Sequence, residues 1–357
     1  MKSENDRSGS PQNETLRYPF LTAPTHADGS AVKIAQGILW LRMPMSDGEG
    51  SINIWALRDG DGWTIVDTGI RNPRTVAAWR KARVTTLGGE PIHRTIVTHL
   101  HPDHSGMAGW LTSSAGAELW MTRLEFLMAQ SIVQDTGREA PDEAVDFYRS
   151  AGWDEPDLDR YRTRFGDLGR YFYPLPRTFR RITAGDQIPI GDHVWEVVIG
   201  AGHSPEHACL YCRDLKLFIS GDQVLPRISS NISVHPFDAE ANPLAEWLTT
   251  LAEIRDHVDN DVLVLPAHGE PFHGLHERIG QLIGGHERGL ERLSTALETA
   301  SRPVDLFSAM FHRPITPELL GMATGETIAH LHYLRKQGRA KRQMDASGTA
   351  WWSSTSA

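Results

Sequence analysis

Three histidines and one aspartate fall within six residues of this chain, in the segment His99-Leu-His101-Pro-Asp103-His104. The preceding segment, from Arg94 to His99, has the apolar and β-branched character of a buried strand. A strand that ends in such a cluster brings nitrogen and oxygen ligands to the edge of a sheet. Because imidazole and carboxylate groups bind divalent transition metals, the spacing predicts a metal site there.

Four other predicted strands end in a similar way, with a histidine or an aspartate and a glycine or proline within two residues of it. They end at Asp67-Thr-Gly69, Gly202-His203-Ser-Pro205, Ser220-Gly-Asp222 and Pro266-Ala-His268-Gly269. Glycine allows the backbone to approach a ligand closely. One such residue alone would ordinarily be a capping or core residue. Five strand ends with the same pattern indicate that these side chains meet at one centre.

The composition is that of an ordinary globular protein and excludes several classes. The chain has 357 residues, of which 40% are hydrophobic and 23% charged, and its net charge of -9 gives no general case for nucleic-acid binding. Its two cysteines, Cys209 and Cys212, exclude a disulfide framework. Their CxxC spacing could also suggest redox or zinc chemistry, but residues i and i+3 of a strand face opposite sides. The first seventeen residues predict a loose polar tail, and no apolar run reaches membrane-spanning length, so we expect a cytoplasmic protein without a membrane span.

Strands and helices alternate from Ile34 to Met121, which predicts a layered α/β architecture. Residues 122–180 interrupt that rhythm with three predicted helices, Arg123–Gln134, Asp142–Ser150 and Pro156–Leu168. Such an insertion either packs on the sheet or forms a cap over a substrate pocket. The residues that would line the pocket are Phe165, Tyr171, Phe172, Tyr173 and, from the region after Asp222, His235.

The five strand ends, with their HxHxDH element, resemble the metallo-β-lactamase superfamily between Ile34 and Pro271. The resemblance implies an αββα sandwich over residues 18–275, with two divalent ions at one edge. It assigns one ion to His99, His101 and His203, and the other to Asp103, His104 and His268. Asp222 would bridge the two ions, and Asp67 would brace the metal loop.

These ligands predict hydrolysis. They suit zinc best, although iron or manganese would also fit. Two divalent cations lower the pKa of a bridging water, so that hydroxide attacks at neutral pH while one ion polarises the scissile group. Asp103 would orient the hydroxide and collect a proton. The sequence contains no G-x-S-x-G element that would indicate a serine nucleophile.

Residues 276–357 predict a separate C-terminal helical module. Helical runs are expected from Pro314 and over Thr327–Gln337, the second with Thr324 or Gly325 near its cap, followed by a hairpin of Lys341–Met344 and Ala350–Trp352. The order resembles a winged-helix-like tail. Its basic cluster could bind nucleic acid, the phosphates of coenzyme A or nothing; the cluster contains Arg335, Lys336, Arg339, Lys341 and Arg342.

Among hydrolytic functions, the sequence favours a thioesterase that acts on an acyl-coenzyme A, acyl-carrier or glutathione thioester. The Ala201–Pro205 loop resembles that of the glyoxalase II group, and the aromatic insertion suits a larger acyl group. A nuclease that uses the basic tail and a lactone or ester hydrolase are the alternatives. A non-catalytic sensor is disfavoured because the ligand set is complete. A homodimer is compatible with the sequence.

Overall fold

Two β-sheets lie face to face in the computed structural model, which describes residues 16–20, 24, 26–45 and 50–355. Residues 1–15 of the predicted tail lie outside that part. The prediction was wrong for its last two residues, because Leu16 is buried and Arg17 exchanges two backbone hydrogen bonds with His273.

The first sheet has seven strands, hydrogen-bonded in chain order from β1 to β7. They are β1 Ala31–Ala35, β2 Ile38–Pro44, β3 Ser51–Asp59, β4 Gly62–Val66, β5 Ile92–Ile96, β6 Glu118–Met121 and β7 Arg180–Arg181. The strand pairs are antiparallel up to β4 and parallel from β4 onward. Gly37, with φ of 75°, lies in the tight turn between β1 and β2.

The second sheet has five strands in the order β12-β11-β10-β9-β8. They are β8 Gln187–Ile190, β9 His193–Gly200, β10 His207–Cys212, β11 Leu217–Gly221 and β12 Leu263–Pro266. Only the β11–β12 pair is parallel within this sheet of the described chain. The carboxyl ends of β4, β5, β9, β11 and β12 lead into the aspartates and histidines singled out above.

Helices cover the outer faces of both sheets. They are α1 Pro73–Lys81, α2 Pro102–Ser105, α3 Ala108–Ala115, α4 Arg123–Gln134, α5 Asp142–Ser150, α6 Glu155–Arg164, α7 Pro243–His257, α8 Leu275–Ala296, α9 Phe307–Met310 and α10 Leu320–Lys336. α1 begins where the Asn72 side chain accepts a hydrogen bond from the Thr75 amide and Pro73 occupies the first turn. None of the helices in the described part of the chain is both long and apolar enough to cross a bilayer.

Three apolar clusters hold these layers together and make the αββα order explicit. Trp40 and Trp55 of the first sheet pack with Trp195 and Leu210 of the second in the cluster between the sheets. A second cluster joins the outer face of the first sheet to α1 and α3, and a third joins the outer face of the second sheet to α7, α8 and α10. The predicted sandwich is confirmed.

The C-terminal segment shares its core with the second sheet. Ile328 and Trp352 lie in the same buried cluster as Tyr211 and Val264, and α8, which begins at Leu275, contributes to it along its length. The expected hairpin forms as β13 Ala340–Met344 and β14 Ala350–Ser354. Among the described residues, the C-terminal segment therefore packs as part of the sandwich and has no core cluster of its own.

The helix prediction was wrong between Pro314 and Gln337. No helix begins at Pro314, and one continuous helix, α10, runs through the expected cap at Thr324 and Gly325. Both of these residues are buried: the Thr324 hydroxyl donates to the Leu320 carbonyl and accepts from the Trp153 indole. These long-range contacts outweigh the preference of threonine and glycine for helix ends.

Close backbone packing makes Gly109 of α3 hard to replace. A Cβ atom there would lie 2.0 Å from the Pro174 carbonyl oxygen, whereas one at Gly280 of α8 would meet nothing within 4 Å. We expect Gly109→Ala to lower the free energy of unfolding by about 1–3 kcal/mol. Gly280→Ala, the control, should leave it unchanged or raise it by about 0.5–1 kcal/mol. Urea denaturation measures both values, and equal effects would contradict this packing.

Candidate metal centre

The loop after β5 places three of the predicted ligands within one turn of chain. Pro102 begins α2, so Asp103 and His104 lie in its first turn while His101 immediately precedes it. His99 Nε2 and His101 Nδ1 are 2.9 Å apart. The Thr98 hydroxyl lies 3.1 Å from His99 Nδ1, which leaves the opposite ring nitrogen of His99 to face the centre.

Asp67 connects this loop to the end of β4. Its backbone has a left-handed φ of 63°, which is uncommon for a residue other than glycine. One carboxylate oxygen accepts from the Thr98 amide at 2.8 Å, and the other lies 2.8 Å from His104 Nδ1. This hydrogen bond fixes the His104 ring so that its Nε2 faces the centre.

The strand ends that carry the proposed ligands, those of β5, β9, β11 and β12, converge at one edge of the sandwich, and Asp67 at the end of β4 contacts them, as the pattern predicted. Ligand atoms of three groups lie within 4.8 Å of one another; the groups are His99, His101 and His203; His99, His104 and Asp222; and Asp103, His104 and His268. One Asp222 oxygen is 3.5 Å from Nε2 of both His104 and His203, and the other is 3.6 Å from His268 Nε2. Asp222 therefore lies between the two outer groups.

The side chains present fit two divalent ions. His104 Nε2, His203 Nε2 and Asp222 Oδ1 are buried and have no hydrogen-bond partner among the described residues. A buried polar atom without a partner carries a free-energy penalty, and a cation coordinated at that point removes it. Imidazole and carboxylate ligands of this kind suit zinc, iron(II) or manganese(II).

Despite the burial of both rings, neighbouring carboxylates raise the pKa of His104 and of His268, so a cation that binds there displaces a proton.

Electrostatics keep four other ligands in the forms that bind cations. Burial, together with the charges of neighbouring histidines, lowers the pKa of His99 and brings the pKa of His101 to about 3, so both imidazoles are neutral. Burial alone would raise the pKa of Asp103, but the charges of His104 and His268 outweigh it and hold the pKa at about 2. The same histidine charges overcome burial at Asp222 and hold its pKa well below the usual range.

Two buried residues of the centre were missed from the sequence. Glu125 of α4 accepts the backbone amides of Leu100 and Glu206, each at 2.8 Å, and so joins the two histidine loops; burial raises its pKa to about 7. His207 stacks on His99 with ring centroids 4.8 Å apart, and its Nε2 accepts from the Asp222 amide. Glutamate in the first turn of a helix usually faces solvent, so its position gave no reason to place Glu125 in the centre. The second histidine of Gly202–His207 was a signal that could have identified His207.

The residues predicted to line a pocket occupy different surroundings. Phe172 is fully buried in the cluster that contains Val97 and Leu100, and offers no surface to a ligand. Phe165 packs on Tyr161, Tyr173 lies beneath the Arg71 guanidinium, and Tyr171 is exposed. The structure does not bring these four aromatic residues together as one wall.

His235 lies beside the metal centre while keeping contact with solvent. Its ring stacks on Phe237, with centroids 5.3 Å apart. The protein atoms around it and the charge of His203 lower the pKa of His235 to about 4. Its role in lining a substrate pocket stays a prediction.

Comparisons with known proteins agree with this geometry. A family model described as the metallo-beta-lactamase superfamily matches residues 47–268, and one described as its C-terminal domain matches residues 290–355. A solved beta-lactamase domain protein from Burkholderia ambifaria is 37% identical, with a TM-score of 0.87 over 96% of this chain and 99% of that one. A family protein from Thermus thermophilus, 21% identical over 90% of this chain and 100% of that one, shares the fold with a TM-score of 0.75.

Two characterised relatives carry the word thioesterase in their names. The acyl-coenzyme A thioesterase MBLAC2 of Gallus gallus is 25% identical over 247 residues, which are 67% of this chain and 80% of that protein. An atrochrysone carboxyl ACP thioesterase of Aspergillus novofumigatus is 30% identical over 145 residues, or 38% of this chain. The match spans 42% of the Aspergillus protein, so less than half of its length is compared.

The bracing role of Asp67 can be tested by an isosteric change. In Asp67→Asn one carboxylate oxygen becomes an amide nitrogen, so the side chain cannot accept from both Thr98 and His104. We expect zinc affinity, measured by competition with a chromophoric chelator, to fall about 10–100-fold. Asp61→Asn, at an exposed position, is the control. An unchanged affinity in Asp67→Asn would contradict the role.

The contact of Glu125 with two loops predicts a large effect on stability. Glu125→Ala leaves the amides of Leu100 and Glu206 buried without an acceptor, which we expect to lower the free energy of unfolding by about 2–5 kcal/mol. The exposed Glu139→Ala serves as control, with an expected change within about 0.5 kcal/mol. Guanidinium denaturation of the metal-depleted protein separates this effect from metal binding, and similar values for the two variants would refute the role of Glu125.

Proposed function

This chain belongs to the metallo-beta-lactamase superfamily, and from that premise we propose that it is a two-metal hydrolase whose substrates are acyl thioesters. The observation that carries the hydrolytic part is the convergence of seven donor side chains. Three of them have a buried atom without a hydrogen-bond partner in the described part of the chain. The thioester part is supported by the two thioesterases among its relatives.

The seven donors divide into two sets in the proposed enzyme. His99, His101 and His203 would hold one ion and Asp103, His104 and His268 the other, with Asp222 shared between them. Bound zinc supplies a water of lowered pKa and a Lewis acid for the scissile carbonyl. Asp103, ionised and 3.3 Å from His268 Nε2, is placed to orient that water and to accept its proton.

A thioester matches what these residues can do. A thiol has a pKa of about 8.5, so the sulfur leaves as a thiolate without an acid to protonate it. The site has then to deliver a nucleophile and stabilise the oxyanion. The ionised carboxylates of Asp103 and Asp222 can accept a proton from the nucleophile, and bound cations would stabilise the oxyanion, so no side chain has to protonate the leaving sulfur.

Exposed apolar side chains lie on segments that contact the loops carrying the proposed ligands. Leu124 and Leu127 lie on α4, and the Leu124 amide donates to Glu206 at 2.9 Å, within the His203 loop. Phe237 stacks on His235, and the exposed Met322 lies on α10 beside Asn231. Together they offer an apolar acyl chain a surface next to the ligands, and they take the place of the aromatic wall expected from the sequence.

The nuclease alternative loses most of its support in the structure. Arg335 and Arg342 of the basic cluster both pair with Glu240, at 2.6 and 2.7 Å, so one carboxylate balances half of their combined charge. Arg339 donates to the Ser294 hydroxyl. Nucleic acid would find fewer free cations here than the sequence suggested. Lactones and oxygen esters require the same chemistry at the metals and are distinguished only by assay.

We expect protein prepared without chelator to contain two zinc ions per chain by mass spectrometry, and to release thiol from acyl-coenzyme A substrates. Release is followed with a thiol-reactive dye over acyl chains of increasing length. His268→Ala should lower kcat/KM at least about 100-fold, because it removes a ligand. The exposed His93→Ala is the control. Metal-loaded protein that cleaves lactones, esters or RNA but no thioester would reject the substrate class.

A further inference from the structure

The segment Ser229–Val234 supports two of the proposed ligands from behind. The Asn231 carbonyl accepts from His203 Nδ1 at 2.8 Å, which directs His203 Nε2 toward the centre. The Ser230 hydroxyl donates to the Asp222 backbone carbonyl. Asn231 therefore acts on the His203 ring, whereas Ser230 contacts only the backbone of the shared ligand Asp222.

Helix α10, from the C-terminal part of the chain, holds that segment through side chains and backbone. The Glu326 carboxylate accepts a hydrogen bond from the side-chain nitrogen Nδ2 of Asn231 at 2.7 Å. The Gly325 carbonyl accepts from the Val234 amide at 3.1 Å, and the Met322 carbonyl accepts from the Asn231 side chain at 3.3 Å. Burial raises the pKa of Glu326 to about 7, and the hydrogen bond from Asn231 and the charge of His203 oppose that rise.

Two further features show how closely α10 approaches. A Cβ atom on Gly325 would lie 2.7 Å from the Ser233 hydroxyl oxygen and 2.9 Å from the Val234 carbonyl oxygen, so a side chain would force the two backbones apart. One turn later, His330 Nε2 lies 3.1 Å from His286 Nδ1, and His286 Nε2 lies 3.3 Å from the Ser229 hydroxyl. α10 thus contacts the segment near Asn231 and reaches Ser229 through α8.

We propose that Glu326 is a positioning residue for the metal ligand His203, so that α10 completes the metal centre. The proposal rests on the metal binding proposed above. Its physical basis is a chain of directed hydrogen bonds: the Glu326 carboxylate holds the Asn231 side chain, and the Asn231 carbonyl holds the His203 ring. A half-buried acid without an ion-pair partner among the described residues carries a desolvation penalty, and the hydrogen bond from Asn231 offsets part of that penalty.

Zinc titration with a competing chelator tests the proposal on the full-length protein without substrate. Glu326→Ala should weaken the binding of one ion about 10-fold, because only His203 is directed through Asn231. The affinity for the other ion should stay within about 2-fold of the wild type. Glu326→Gln keeps an oxygen acceptor and should stay within about 3-fold of the wild type. Glu291→Ala, at an exposed position on α8, is the matched control and should not change either affinity.

Reversing the direction of the Asn231–Glu326 hydrogen bond distinguishes a positioning role of Glu326 from a general effect on stability. Asn231→Asp alone places two carboxylates face to face and should reproduce the loss at one ion. Combined with Glu326→Gln, it restores a donor and an acceptor in the opposite sense, and affinity should return to within about 3-fold of the wild type. The absorption of Co²⁺ bound in place of zinc reports the geometry of the affected ion in each variant.

The outcomes distinguish this proposal from the proposed function. Wild-type affinity at both ions in Glu326→Ala, or an equal loss at both ions with no recovery in the double variant, would overturn the positioning role. Two ions bound with the expected pattern but no thioester cleaved would overturn the substrate class alone. A wild-type protein that binds no ion would overturn both.

Discussion

The buried contact of Asp67 with Thr98 and His104 is the interaction on which the centre depends. It joins the end of β4 to the loop after β5, so two neighbouring parallel strands are fixed at the point where both emerge from the sheet. Since it occupies His104 Nδ1, only the other nitrogen of that ring can serve as a ligand. The left-handed backbone of Asp67 is strained, and it persists because strands on both sides hold it.

The centre gathers charge and polarity that the fold would otherwise exclude from its interior. Five imidazoles and two carboxylates lie within a few ångströms of one another, and several of their atoms find no partner among the described residues. Such a cluster lowers stability unless cations enter it. The burial of large apolar side chains, in the cluster between the sheets and in the two clusters on their outer faces, offsets this loss of stability.

Segments outside the sheets hold the loops that carry the ligands. The insertion contributes Glu125, whose carboxylate joins the loop of His101 to that of His203. The C-terminal helix contributes contacts to the segment behind His203 and Asp222. Both additions lie against the centre, and their exposed apolar residues border it. The same elements can therefore shape the surface on which a substrate rests and restrain the ligands beneath it.

The sequence by itself determined the ligand types and their places at strand ends, because apolar periodicity and glycine-bearing strand ends are local properties of the chain. The αββα sandwich was implied by the resemblance of these elements to the metallo-β-lactamase superfamily. The sequence also indicated the helices of the insertion, although Pro156–Leu168 ends early, at Arg164. Tertiary structure alone decided that Phe172 is core, that α10 runs unbroken through Gly325, and that Glu125 joins two ligand loops. It also brought His207 against His99 and Glu326 against Asn231. The pairs Glu125–Glu206 and Asn231–Glu326 are 81 and 95 residues apart. Spacing within a helix or a strand carries no information about contacts over such separations, so only the packed molecule could reveal them.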